Sequence, residues 1–82
     1  IALDYADKNI QVFGLAPGAV KTAMTAADFE PGGLADWVVE ETPIKRWLDP
    51  QEVADVSLFL ASGKAAAMQG EIIKIDGGWS LK

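Results

Sequence analysis

The sequence predicts an α/β fold built on parallel strands. Two short apolar runs, Ile10–Leu15 and Glu71–Ile75, read as strands, and a capped helix opening at Asp49 stands between them. A strand–helix–strand order of this length implies a parallel crossover, because antiparallel neighbours need only a tight turn. The first run also breaks without a spacer into Ala16-Pro17-Gly18. The carboxyl end of a strand in an open α/β sheet is where ligands bind.

Taken in order, Ile1 to Lys8 reads as the end of a helix. Ala2, Leu3, Tyr5 and Ala6 supply apolar surface, and Asn9 suits a left-handed cap. The strand Ile10–Leu15 is apolar on both faces, interrupted only by Gln11 and Gly14. That pattern belongs to a sheet covered on two sides. Ala16-Pro17-Gly18 is expected to end it.

Residues 23–42 have no clear period. Short helices over 23–27 and 34–41 are expected around the break at Pro31-Gly32-Gly33. A connection this long in a compact domain is usually functional or mobile. The clearest helix start follows: Asp49 as N-cap, Pro50 at N1 and Glu52 at N3. The carboxylate of Asp49 can take orphan backbone N–H groups, and the missing N–H of Pro50 costs nothing there. The helix Val53–Ala61 carries two apolar stripes, Val53/Val56/Leu60 and Ala54/Leu58/Ala61, with Phe59 beside them. A helix apolar over most of its circumference is expected to be covered on more than one side. Ser62-Gly63 ends it, 64–69 connects, and Gly70 opens the second strand, which Asp76-Gly77-Gly78 closes before a short tail from Trp79 to Lys82.

Composition narrows the function classes. Eighty-two residues make one domain or a piece of one, and a chain of this size buries only about 60% of its unfolded surface. It has no cysteine and no histidine, which removes disulfides, thiolate metal sites and the commonest general base. No metal site is expected. The net charge of -5 and the scattered basic residues argue against a phosphate-tracking surface, so nucleic acid is not an expected partner. No apolar run approaches the about 20 residues of a membrane span and nothing resembles a signal peptide, so neither membrane nor secretion is expected and the location inferred is cytoplasmic. The chain begins with Ile1 and reads as cut from something longer, a trace that processing would also leave.

Four blocks then stand in a telling order: Ala16-Pro17-Gly18-Ala19-Val20-Lys21-Thr22 after a strand, Pro43 through Asp49-Pro50 to Ala54, Phe59-Leu60-Ala61-Ser62, and Gln69-Gly70 through Asp76-Gly77-Gly78. Together they resemble the C-terminal third of the short-chain dehydrogenase/reductase family. The resemblance covers nearly the whole chain. It implies the C-terminal part of a Rossmann-type, doubly wound parallel sheet, its last two strands and their crossover helices. Residues 1–82 would then form a partial NAD(P)-binding domain with a substrate loop over about 23–48. Two positions depart from the family's habit, Phe13 where Asn is frequent and Leu48 where Gly is frequent. The family's Gly-rich dinucleotide turn, its catalytic Ser and its Tyr-x-x-x-Lys pair would all lie upstream of Ile1. Tyr5 is followed four residues later by Asn9 and supplies no substitute, so no catalytic residue is assigned within this chain.

The resemblance further implies that Pro17, Gly18, Val20 and Thr22 face NAD or NADP, with backbone at Val20 meeting the nicotinamide carboxamide and the Thr22 hydroxyl meeting carboxamide or pyrophosphate. An amide needs a matched donor and acceptor, which exposed backbone after a strand offers. Alone, Pro17-Gly18 is also an ordinary strand-ending turn. Met24, Trp37 and Val38 are candidates to line a pocket for a small carbonyl or alcohol substrate, with Gly32-Gly33 as a hinge, although Met and Trp fill cores more often than they touch ligands. The acidic residues of the same loop read as solvated surface. The resemblance also implies that the last strand is a sheet edge that pairs or packs across a two-fold axis, with the two-striped helix covered by its own sheet and by a neighbouring subunit, in a homo-oligomer, a tetramer or dimer. The competing reading is a non-catalytic binding or assembly module, or a truncated product, with the same partial fold.

Overall fold

The computed structural model describes residues 1–81. Helix α1 (Ala2–Tyr5) passes through a 3-10 turn to Asn9, which takes the left-handed conformation at φ 59°. Strand β1 (Gly14–Pro17) follows, then a 3-10 helix over Ala23–Phe29, helix α2 (Ala35–Glu41), helix α3 (Pro50–Ala61), strand β2 (Ile72–Ile75) and a last 3-10 turn over Trp79–Leu81. β1 and β2 pair in parallel, Gly14 opposite Ile72 through Pro17 opposite Ile75. A parallel bridge between Val20 and Leu48 extends the sheet beyond that pair.

β1 begins and ends later than its apolar run suggests. A strand is defined by its ladder, and β2 offers partners only from Gly14 onward. The strand closes within Ala16-Pro17-Gly18 as expected, with Pro17 its last residue. The Pro17 nitrogen lies on the side away from β2, since the donors to β2 alternate from Gly14 to Gly18, and the Gly18 N–H donates to the Ile75 carbonyl at 2.9 Å. Before Gly14, a side chain does the work of a strand. Gln69 Oε1 accepts the Val12 N–H at 2.9 Å, while Nε2 donates to the Ala2 carbonyl at 2.8 Å and to the Ile10 carbonyl at 3.1 Å. The Gly70 N–H donates to the Val12 carbonyl at 3.0 Å. One amide side chain thus ties the start of α1, the approach to β1 and the approach to β2.

Helix α3 forms where its cap predicts. Asp49 Oδ1 accepts the Gln51 N–H at 2.8 Å, and Glu52 Oε1 accepts the Asp49 N–H at 2.9 Å. Arg46 grips the same Glu52 with both guanidinium arms, at 2.6 and 2.9 Å. Arg46 is exposed yet braces the helix cap through this pair. The Arg46 fork first, and the Asp49 N–H second, pull the Glu52 carboxyl from its ordinary 4.5 to about 2.

Only one of the two apolar stripes of α3 is covered. Leu60 is buried and Val53 and Val56 are half-buried, whereas Leu58 stays 70% exposed. The core is thin, consisting of Val38, Leu48, Leu60 and Ala65 with the buried Thr42. The radius of gyration is 15.7 Å, against about 12 Å for a compact globule of this length. The described residues form a slab rather than a sphere, with Ile72, Leu58 and Leu3 on its surface. No helix among them is long and apolar enough to cross a membrane. The Trp79–Leu81 turn is ordered against the body, and the final residue of the expected tail, Lys82, lies outside the described residues.

Two outcomes test these contacts. Gln69→Ala should lower unfolding stability by about 1–3 kcal/mol, since two backbone partners lose a part-buried hydrogen bond and a third an exposed one, and a shift of the urea midpoint at constant slope reads this. A carboxyl with a depressed folded pKa contributes stability that is complete above its ordinary value and lost as pH falls through the folded one. Stability should therefore decline between pH 4.5 and about 2, and Glu52→Gln should flatten that part of an acid titration followed by circular dichroism.

Candidate functional site

The carboxyl ends of β1 and β2 open into a cavity of about 490 Å³ lined by Ala16, Pro17, Gly18, Ala19, Val38, Lys74, Asp76, Trp79 and Ser80. Parallel strands bring their carboxyl ends to the same edge, so the site follows from the topology. Its walls are mostly apolar, with polar groups confined to Lys74, Asp76 and Ser80 and to the backbone at Gly18.

Gly18 is required by the close approach of the two strand ends. A Cβ there would stand 2.9 Å from the Asp76 Cα and 3.0 Å from its Cβ. Gly77 is required for two reasons: its φ is +63°, and a Cβ would meet Ile44 at 2.8 Å and Thr42 Cγ2 at 2.9 Å. Between them Asp76 holds the exit of β2. Its Oδ1 accepts the Gly78 N–H at 3.1 Å and its Oδ2 the Ser80 N–H at 3.2 Å. The Ser80 hydroxyl is the main cause holding the Asp76 carboxyl below its ordinary value. The carboxylate thus serves the tail turn that carries Trp79 and Ser80 into the cavity wall.

Beyond Gly18 the backbone is presented in a defined way. The bridge to Leu48 uses the Ala19 carbonyl, which accepts the Leu48 N–H at 2.9 Å, and the Lys21 N–H, which donates to the Leu48 carbonyl at 2.9 Å. Backbone groups alternate sides along an extended strand, so the amide and carbonyl of Val20 face away from Leu48. The Thr25 hydroxyl lies 3.1 Å from the Val20 carbonyl and 3.0 Å from the Thr22 carbonyl, and it accepts the Thr22 N–H at 2.9 Å. Thr22 is the exposed N-cap of the 3-10 helix Ala23–Phe29. A flat polar group with one donor and one acceptor fits such a ledge, because there is no side chain at Gly18 and the Val20 backbone is turned outward.

Of the residues singled out from the sequence, Pro17 and Gly18 line the cavity, and Val20 and Thr22 stand just beyond it. Val38 is buried and forms part of the wall. Trp37 is half out in solvent but packs edge-on against Trp79, 5.7 Å between ring centroids. Met24 is 95% exposed and is not among the lining residues. Sequence reasoning missed Thr25, whose signal was the Thr22-x-x-Thr25 capping spacing. It also missed Lys74, Asp76 and Ser80, which the parallel register brings in from the far end of the chain. No group of three or more Asp or Glu side chains that could hold a metal ion occurs among the described residues.

Comparison with known proteins places this geometry. The family model described as enoyl-(acyl carrier protein) reductase matches residues 1–80. The chain is 40% identical over 78 residues to a 5-keto-D-gluconate 5-reductase of Escherichia coli K12, covering 95% of this chain and 31% of that protein. A gluconate 5-dehydrogenase from Burkholderia cenocepacia J2315, solved in complex with NADP and tartrate, superimposes with a TM-score of 0.89 at 32% identity, over 99% of this chain and 32% of that one. A 4-hydroxyisoleucine dehydrogenase complexed with NADH gives a TM-score of 0.91 at 27% identity, over 99% of this chain and 33% of that one. The chain thus spans about a third of the length of the proteins it matches. From the parallel pair with its glycine-lined exit to the match over residues 1–80, the chain belongs to the short-chain dehydrogenase/reductase family, and β1 and β2 are part of that family's Rossmann-type α/β sheet.

Proposed function

We propose that this chain supplies one wall of a dinucleotide site, for NAD or NADP, in an oxidoreductase acting on a small carbonyl or alcohol substrate. The observation that carries the reading is the cavity at the carboxyl ends of β1 and β2, with Pro17 and Gly18 at its rim and the Val20 backbone turned outward beside it. Nicotinamide, when bound, supplies hydride to a carbonyl carbon or takes it from an alcohol carbon, a proton moving to or from the oxygen. The residues of this chain do the holding. Gly18 lets backbone approach closely, Val20 offers its amide to a carboxamide, and Thr22 offers a hydroxyl. The catalytic Ser, Tyr and Lys typical of the family are not in these 82 residues, and the segment by itself is expected to be inactive.

The substrate loop is assigned to about 23–48. Val38 reaches the cavity directly and Trp37 through its contact with Trp79, whereas Met24 stands away from it in solvent. The names of the relatives span a ketogluconate and an amino acid, so the substrate is kept at the level of a small carbonyl or alcohol. The exposed stripe through Leu58 on α3 supports burial against other parts of a complete protein and against a second copy, as a dimer or tetramer. The absence of a spanning helix among the described residues is compatible with work in the cytoplasm.

Thr22→Val removes the hydroxyl while keeping shape. In the complete enzyme it should raise the cofactor KM or Kd about tenfold, the effect of one lost hydrogen bond of about 1.4 kcal/mol. Unchanged cofactor affinity and turnover would count against the assignment. A protein that binds neither NADH nor NADPH would instead favour a non-catalytic assembly module.

A further inference from the structure

A continuous run of ring contacts joins the ledge at 19–22 to helix α2. Lys21 lies between Val20 and Thr22, and its ammonium sits 4.9 Å from the centroid of the Phe29 ring. Phe29 stacks at 48° on Trp47, with 4.7 Å between centroids. The Trp47 indole N–H donates to the Ala35 carbonyl, the first residue of α2, at 3.2 Å. Trp47 is fixed in turn by its neighbour Leu48, which is buried and bridged to Val20. The two ends of this run are the proposed cofactor ledge and the helix that places Val38 in the cavity wall. The N-cap of α2, Leu34, makes no side-chain cap bond, so at its first turn the Trp47 indole is the side chain that reaches the helix backbone.

We propose that Trp47 is a positioning residue, the pin of a latch formed by Lys21, Phe29, Trp47 and the Ala35 carbonyl, through which occupancy of the 19–22 ledge tightens α2 over the cavity. The coupling half of this inference rests on the dinucleotide reading above, whereas the latch itself does not. Each link has a known physical origin. An ammonium over an aromatic face is held by the ring quadrupole, tilted rings attract edge to face, and a half-buried indole N–H needs an acceptor. A ligand that fixes the backbone at 20–22 also fixes where Lys21 stands, and so removes freedom from Phe29 and α2 in advance. The polarity follows: the ledge fills first and the substrate side tightens second.

Hydrogen exchange in the protein reads the latch at two amides, Val38 and Thr42, whose N–H groups donate at 2.9 Å to the Leu34 and Val38 carbonyls. Without cofactor, Lys21→Gln should speed exchange at Val38 and Thr42 about threefold, the fold-change of one exposed cation–π contact. Trp47→Phe, which keeps the ring and loses the N–H, should speed it about fivefold, and Trp47→Ala more, while the β2 amides stay unchanged. Equal exchange at Val38 and Thr42 in wild type, Lys21→Gln and Trp47→Phe overturns the latch. NADH and NADPH are then each titrated into the complete enzyme. Binding that slows exchange at Val38 and Thr42 in wild type, but not in Lys21→Gln, supports the coupling. Binding that leaves these amides unchanged overturns the coupling and spares the cofactor reading. Failure of both dinucleotides to bind overturns the cofactor reading and the coupling with it, and the comparison without cofactor still decides the latch.

Discussion

Parallel pairing of β1 and β2 is the constraint on which the rest of the structure depends. Two parallel strands cannot share a tight turn, so the chain must leave at Pro17 and return at Ile72 in the same direction. That excursion contains everything that gives the site its character: the ledge at 19–22, α2, the Trp47 pin and α3. The register is set before the ladder starts, where Gln69 satisfies the carbonyls of Ala2 and Ile10 and the amide of Val12 at once. A slip of one rung would move the whole ladder and break all three bonds, and it would turn the side chains of the slipped strand to the other face of the sheet.

The same pairing forces the strand exits together, and the absence of a side chain at Gly18 is its consequence rather than a separate design choice. With the Asp76 backbone where a Cβ would stand, only glycine completes the ladder to the Ile75 carbonyl. The opening it leaves is bounded by backbone on one side and by the Asp76-held tail on the other. Cavity and register are therefore one physical fact seen from two ends. The thinness of the core belongs to the same account, because a two-stranded sheet has one helix on one face and little to bury on the other.

What could be read in the sequence was local. Asp49, Pro50 and Glu52 act within one turn of chain, so their spacing alone predicts a helix start that the structure reproduces bond for bond. The break at Pro31-Gly32-Gly33 and the left-handed Asn9 were legible for the same reason. The limits of β1 were not, because a strand ends where its partner ends, and apolar character at Ile10, which stays 46% exposed, and at Val12 does not record pairing. The Arg46–Glu52 pair was not legible, because it joins residues six apart across the cap. Of the site, Pro17 and Gly18 announced themselves through turn chemistry. Lys74, Asp76 and Ser80 did not, since they reach the cavity only through a register between distant segments. The double stripe of α3 was visible in the sequence, while in the structure of these residues only the Val53/Val56/Leu60 stripe finds cover.

The placement of the aromatic residues has an optical consequence. All three tryptophans of the chain surround α2: Trp37 lies within it, Trp47 holds its first carbonyl and Trp79 leans on Trp37. The strands and α3 contain none. The ultraviolet emission of this segment thus reports chiefly on one helix and its supports, with Trp79 touching the sheet only at the exit of β2. Melting followed by emission and melting followed by backbone ellipticity would coincide only if α2 and the β1–β2 ladder give way together. A gap between the two curves would measure how far the covering of the cavity loosens before its frame does.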